Sequence, residues 1–219
     1  MPARSSVVLP SQLGARLVRC LIGLTLFGIG IALIVDSELG NGPWDVFHQG
    51  IADLLGVGIG VVIIATGAAL MLLWIPLRVR PGIGTVLNAV HIGLVVDLTL
   101  PLLPEWERIL PRAGYLVGGI LLMGVGTGMY IGSGLGPGPR DGLMTGLAAR
   151  GWRVGIARTT IEIVVMVIGY ALGGTVGIGT AVFALTIGPL VQWTLPRFDM
   201  RPASERPSHA GGVIESPAR

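Results

Sequence analysis

Lysine is absent from this chain of 219 residues: all fifteen basic side chains are arginine, and only 12% of residues are charged. So little charge cannot solvate a globular surface, which excludes an ordinary soluble domain. A single cysteine, Cys20, excludes an internal disulfide and a cysteine-built metal cluster. Aromatics make up 5% of the chain, and the arginines fall between apolar runs rather than along a stripe interleaved with aromatics. The high isoelectric point therefore does not mark a nucleic-acid partner. G-x-S-x-G, H-E-x-x-H, P-loop and CxxC patterns are all missing, and the Gly-Ile-Gly repeats are apolar helix ends rather than phosphate loops. No enzymatic activity, cofactor or metal is expected.

What the chain has in quantity is apolar sequence: 52% hydrophobic residues and a mean hydropathy of +0.78. Several runs reach the roughly 20 apolar residues that cross a bilayer. The expected fold is an all-α polytopic membrane protein, with lipid as its first partner. Six spans are predicted, near residues 17–35, 57–77, 83–103, 113–132, 155–172 and 175–195. Arg16 and Arg19 before Leu21–Val35 resemble the start of a signal peptide. No A-x-A pattern follows, however, and the stretch has a later counterpart, so it reads as a retained first span.

One short stretch appears twice, as Leu39–Val46 (LGNGPWDV) and Leu135–Gly142 (LGPGPRDG). Its glycines free the backbone for a break, and Pro43 or Pro139 suits the first position of a new helix. Asp45 and Asp141 then fall in the first turn, where a carboxylate offsets the helix dipole. Residues Pro43 to Leu55 carry an apolar stripe with a polar back, too short to span. Such a segment either lies in the interface or folds back into the membrane.

The duplication is wider than the motif. Gly28-Ile-Gly30 answers Gly124-Val-Gly126, Gly82-Ile-Gly-Thr85 answers Gly177-Ile-Gly-Thr180, and Thr99-Leu-Pro101 answers Thr194-Leu-Pro196. Each half thus holds three spans and one Gly-Pro-initiated motif helix. Three is odd, so the halves are expected to be inverted repeats. The predicted layout is a cytoplasmic tail (1–16), membrane repeat 1 (17–103), an external loop (104–112), membrane repeat 2 (113–197) and a disordered cytoplasmic tail (198–219). With both termini inside, thirteen arginines are cytoplasmic and only Arg108 and Arg112 are external.

The LGNGPWDV stretch and its later echo resemble the YczE/YitT-type bacterial integral membrane proteins, over roughly Leu17 to Leu195. The second copy departs from the first, with Arg140 where Trp44 stands and Pro137 where Asn41 stands. The resemblance implies a multi-pass protein of the bacterial cytoplasmic membrane. It brings no chemistry to carry over.

Four polar residues in the spans are candidates for contact with a solute or proton: Asn88, His91, Asp97 and Glu162. Ionisable groups there are costly unless paired or hydrated. The plainer alternatives are a packing histidine at His91, interfacial water at Asp97, and a local ion pair between Arg158 and Glu162. Trp44, Asp45, His48, Arg140 and Asp141 are motif or gate candidates, with helix capping the simpler role for the two aspartates. Gly124, Gly128 and Gly132 form a small-residue face that suits bundle packing or a homodimer. The function expected is a small secondary transporter or permease for a small solute, bound between the motif helices and the third and fifth spans. The alternative is a non-transporting accessory that scaffolds a cell-envelope or secondary-metabolite pathway.

Overall fold

The computed structural model describes residues 12–201. Among them are eight α-helices and no strand: α1 (Leu13–Ser37), α2 (Pro43–Leu55), α3 (Ile59–Leu77), α4 (Ile83–Thr99), α5 (Ile109–Gly132), α6 (Pro139–Ala148), α7 (Val154–Ala171) and α8 (Ile178–Phe198). Six are long and apolar enough to cross a membrane, α4 with the short turn that extends it to Leu102. The other two, α2 and α6, are the motif helices. Large apolar side chains such as Leu72, Ile75, Leu110, Ile178 and Leu185 are exposed on the outside of the bundle. Such a surface is stable only against lipid, so this is a multi-pass membrane protein.

Among the boundary shifts, two carry an arginine with them. The first span starts at Leu13 rather than Leu17, and Arg16 within it is buried. The fourth starts at Ile109, which places Arg112 on a helix instead of in the external loop. Arg16 and Arg112 do equivalent work at opposite ends of the α1–α5 pair. Arg112 Nε donates to the Ser37 carbonyl at the end of α1 (2.7 Å) and its guanidinium pairs with Glu38 (3.0 Å). Arg16 lies beside Gly134, just past the end of α5, and donates to Met200 O (3.3 Å). Cations suit helix C-termini, where carbonyls lack partners. The segment Phe198–Arg201, expected to begin a disordered tail, is tied down: Met200 N donates to Gly132 O (2.8 Å) and Arg19 to Phe198 O (3.1 Å). The remainder of that tail, like residues 1–11, lies outside the described residues.

At the centre α1 and α5 cross antiparallel. A Cβ placed on Gly23 would sit 2.8 Å from the Gly126 carbonyl oxygen, and one on Gly126 would sit 2.5 Å from Gly23 O. Gly30 and Gly119 repeat the exchange at 2.7 and 2.6 Å. Small residues let two backbones approach where lipid supplies no hydrophobic drive. The Gly124–Gly128–Gly132 face of α5 is used in the same way, against Leu190, Thr194 and the Phe198 carbonyl of α8. Within one chain that face is already covered, so it offers nothing to a second copy.

Each short helix packs on the middle span of the other half: α2 on α7, and α6 on α3. The chain enters them through matched geometry. Gly40 and Gly136 have φ of 111° and 123°, a region open to glycine and not to side-chain-bearing residues. Gly42 and Gly138 then cap α2 and α6 with nearly the same backbone angles, and proline follows each. Backbone bonds clasp the motifs to the opposite half: Asn41 N donates to Thr175 O (3.1 Å), and a further two form a matched pair. Gly84 N donates to Leu135 O (2.9 Å), and Gly179 N donates to Leu39 O (2.7 Å).

Candidate functional site

Between the N-termini of α2 and α6 lies a cavity of about 460 Å³. It lies between the motif helices and α4 and α7, with α3, α5, α8 and Phe27 of α1 completing its wall. Seven of the nine singled-out residues line it: Trp44, Asp45, His48, Asn88, Arg140, Asp141 and Glu162. These are far apart in sequence, and the re-entry of both short helices brings them together.

Both motif aspartates stand in the first turn of their helix, as the spacing predicts, but neither accepts a hydrogen bond from a backbone N–H there. At the third helical position the side chain points inward, because the α2 and α6 N-termini are themselves aimed at the cavity. Asp141 Oδ2 accepts a hydrogen bond from the Tyr130 hydroxyl (3.0 Å). Asp45, 2% exposed, faces His48 Nδ1 at 3.4 Å and an Arg140 guanidinium nitrogen at 3.7 Å. Both are beyond a good hydrogen bond, and Asp45 Oδ1, Trp44 Nε1 and both His48 ring nitrogens have no hydrogen-bond partner. Arg140 also lies over the Trp44 ring, 5.0 Å from its centroid, in cation–π contact. Asn88 stands beside Gly138 at the mouth of α6.

Glu162 pairs with Arg158 one turn back (2.9 Å), as the spacing suggested, and both reach the cavity wall. His91 and Asp97 do not line the cavity. His91 Nε2 lies 2.8 Å from Thr25 Oγ1 on α1, a contact that holds α4 against α1. Asp97 accepts from the backbone N–H groups of Gly60 (2.7 Å) and Val61 (3.1 Å). It thus caps α3 from a neighbouring helix, satisfying two donors that the first turn leaves open. Its charge is balanced structurally, which is why it tolerates its place.

The sequence reading missed Tyr130, Thr66, Thr127 and Gln192, which also line the cavity. Tyr130 carried a usable signal: a hydroxyl in the last turns of an otherwise apolar span needs a buried partner. The position of α8 relative to α7, which admits Gln192, had none.

Comparison with known proteins bears on the same region. A family model described as "Family of unknown function (DUF6198)" matches residues 14–196, from the start of α1 into the last turn of α8. The chain belongs to this family. It is 32% identical over 178 residues to "Uncharacterized membrane protein YczE" of Bacillus subtilis, covering 80% of this chain and 83% of that one. The resemblance read from the motif is thereby shown. The DUF6198 chain is also 43% identical over 176 residues to an "Uncharacterized protein" of Haemophilus influenzae, covering 80% and 81% of the two chains. Similarity to "Uncharacterized protein YyaS" of Bacillus subtilis is 24% over 186 residues, covering 80% and 90%. No solved structure matches.

Proposed function

We propose that this protein is a small secondary transporter or permease of the bacterial cytoplasmic membrane, without enzymatic activity, built from two inverted halves with both termini in the cytoplasm. One observation carries the reading: a central cavity into which two helix N-termini and several buried polar atoms without hydrogen-bond partners are aimed. Interrupted helices whose N-termini meet at mid-membrane are how several transporters hold solutes. The exchanged glycine contacts of α1 and α5, the crossed packing of α2 and α6, and the paired backbone clasps all support the inversion. The arginine distribution supports the orientation.

The test is cysteine accessibility in a Cys20→Ala background, with a membrane-impermeant thiol reagent applied to intact cells and to inverted vesicles. Asp53 and Trp152, both exposed, follow or end the short-helix segments of the two halves. Asp53→Cys is expected to label only from outside and Trp152→Cys only from inside. Asn88→Cys, in the cavity, is expected to label from both faces. Labelling of the first two from one face overturns the inverted arrangement. Labelling of Asn88→Cys from one face alone favours an accessory that does not transport.

A further inference from the structure

The polar groups around the cavity are of both signs, and they are not fully spent on each other. Glu162 and Arg158 form a closed pair at 2.9 Å. Deeper in, Asp45 lies 3.7 Å from Arg140 in the first turn of α2, and Asp141, bonded by the Tyr130 hydroxyl, stands in the first turn of α6. Each helix N-terminus acts as roughly half a positive charge. Two carboxylates, one guanidinium and two helix ends come close to neutrality, with positive and negative parts held apart.

A ligand of one sign fits this poorly. A lone anion drawn to Arg140 meets Asp45 and Asp141. A lone cation drawn to the carboxylates meets Arg140 and both helix ends. Either leaves an uncompensated charge where water is scarce, which is costly. Arg140 makes no hydrogen bond among the described residues, although its guanidinium has five N–H donors. Asp45 Oδ1 has no hydrogen donor, and it is 2% exposed. A buried acceptor left without a donor is costly, so a ligand that satisfies Asp45 and also engages the free donors of Arg140 recovers the most. Leu70, Met123, Phe183 and Ile187 give the remaining wall an apolar part, beside the polar Thr66, Thr127 and Gln192.

We propose that the cavity between the N-termini of α2 and α6 binds a net-neutral zwitterion of the amino-acid class. Its carboxylate lies against Arg140 and the first turn of α6, its ammonium against Asp45, and its side group on the apolar wall. The inference deepens the transport reading by naming the cargo, but binding is measured without transport.

The experiment uses the purified full-length protein in detergent, with thermal melting and calorimetric titration. The probes are glycine, L-leucine and L-phenylalanine, each beside the amine lacking its carboxylate and the acid lacking its ammonium. At least one amino acid is expected to raise the melting temperature and to bind at least about tenfold more tightly than its amine or acid. Arg140→Gln and Asp45→Asn are each expected to weaken that binding about tenfold or more, while the unliganded variants still melt cooperatively. Glu162→Gln, in the closed pair, is expected to weaken it less than either. An amine or acid that binds as well as its amino acid overturns the proposal, and so does silence from all three families. Zwitterion binding with Asn88→Cys reachable from one face sinks transport and leaves the site. Access from both faces without zwitterion binding does the reverse.

Discussion

The two halves share a plan and differ in one joint. In the first, α3 packs along α4; in the second, α7 and α8 make no comparable contact. The difference follows from two positions. Asp97 on α4 caps the α3 N-terminus, while Gln192 stands in its place on α8, exposed at the cavity wall. Gly93 of α4 meets the backbone of Gly60 and the Ile64 side chain, while Gly188, its counterpart in the register that aligns Gly82 with Gly177, has nothing near it. One carboxylate and one glycine contact thus separate a closed helix pair from a parted one. The parted pair is the one whose Arg158, Glu162 and Gln192 border the cavity.

The strongest way to break this contrast is to add side chains to the two glycines. At Gly93 a Cβ would collide with the Gly60 carbonyl oxygen, and backbone cannot swing aside. Gly93→Val is expected to cost about 2–3 kcal/mol, seen as an early detergent melt or lost membrane abundance. Gly188→Val has open space and is expected to stay within about 0.5 kcal/mol of the parent. Equal melting points for the two variants would remove packing as the source of the difference.

A smaller effect sharpens the electrostatic side. Asp97→Asn keeps the shape and loses the charge, and is expected to cost about 1 kcal/mol, the usual worth of a helix cap. Hydrogen exchange should quicken at the Gly60 and Val61 amides, the two that Asp97 accepts from. Gln192→Asn is expected to leave both readouts unchanged. The least effect belongs to Arg158→Ala, whose side chain is 58% exposed. An i,i+4 pair of that kind contributes about 0.3–0.5 kcal/mol, close to the resolution of a melt.

Much of this fold is legible in the chain because membrane helices advertise themselves by length and composition. The six spans, the two short helices and the Gly-Pro entries at Pro43 and Pro139 all follow from local sequence. The cavity was legible in part. Its motif residues converge because the duplication implies that both breaks meet, and Glu162 with Arg158 follows from helical spacing. Asp97 and His91 show the limit. An acid on an apolar helix reads as a functional site, but only the three-dimensional arrangement reveals a helix N-terminus beside Asp97 or Thr25 beside His91. The same holds for Arg16 and the segment Phe198–Arg201, whose partners are distant in sequence.

The Gly23–Gly126 and Gly30–Gly119 contacts have one further property. Exchanging α1 with α5 returns the same set of partners, since each carbonyl that receives a glycine belongs to the glycine received in turn. Such a surface is self-complementary, like the face through which a two-fold dimer meets its own copy. The seam at the heart of this single chain has the form of a dimer interface, closed within one molecule.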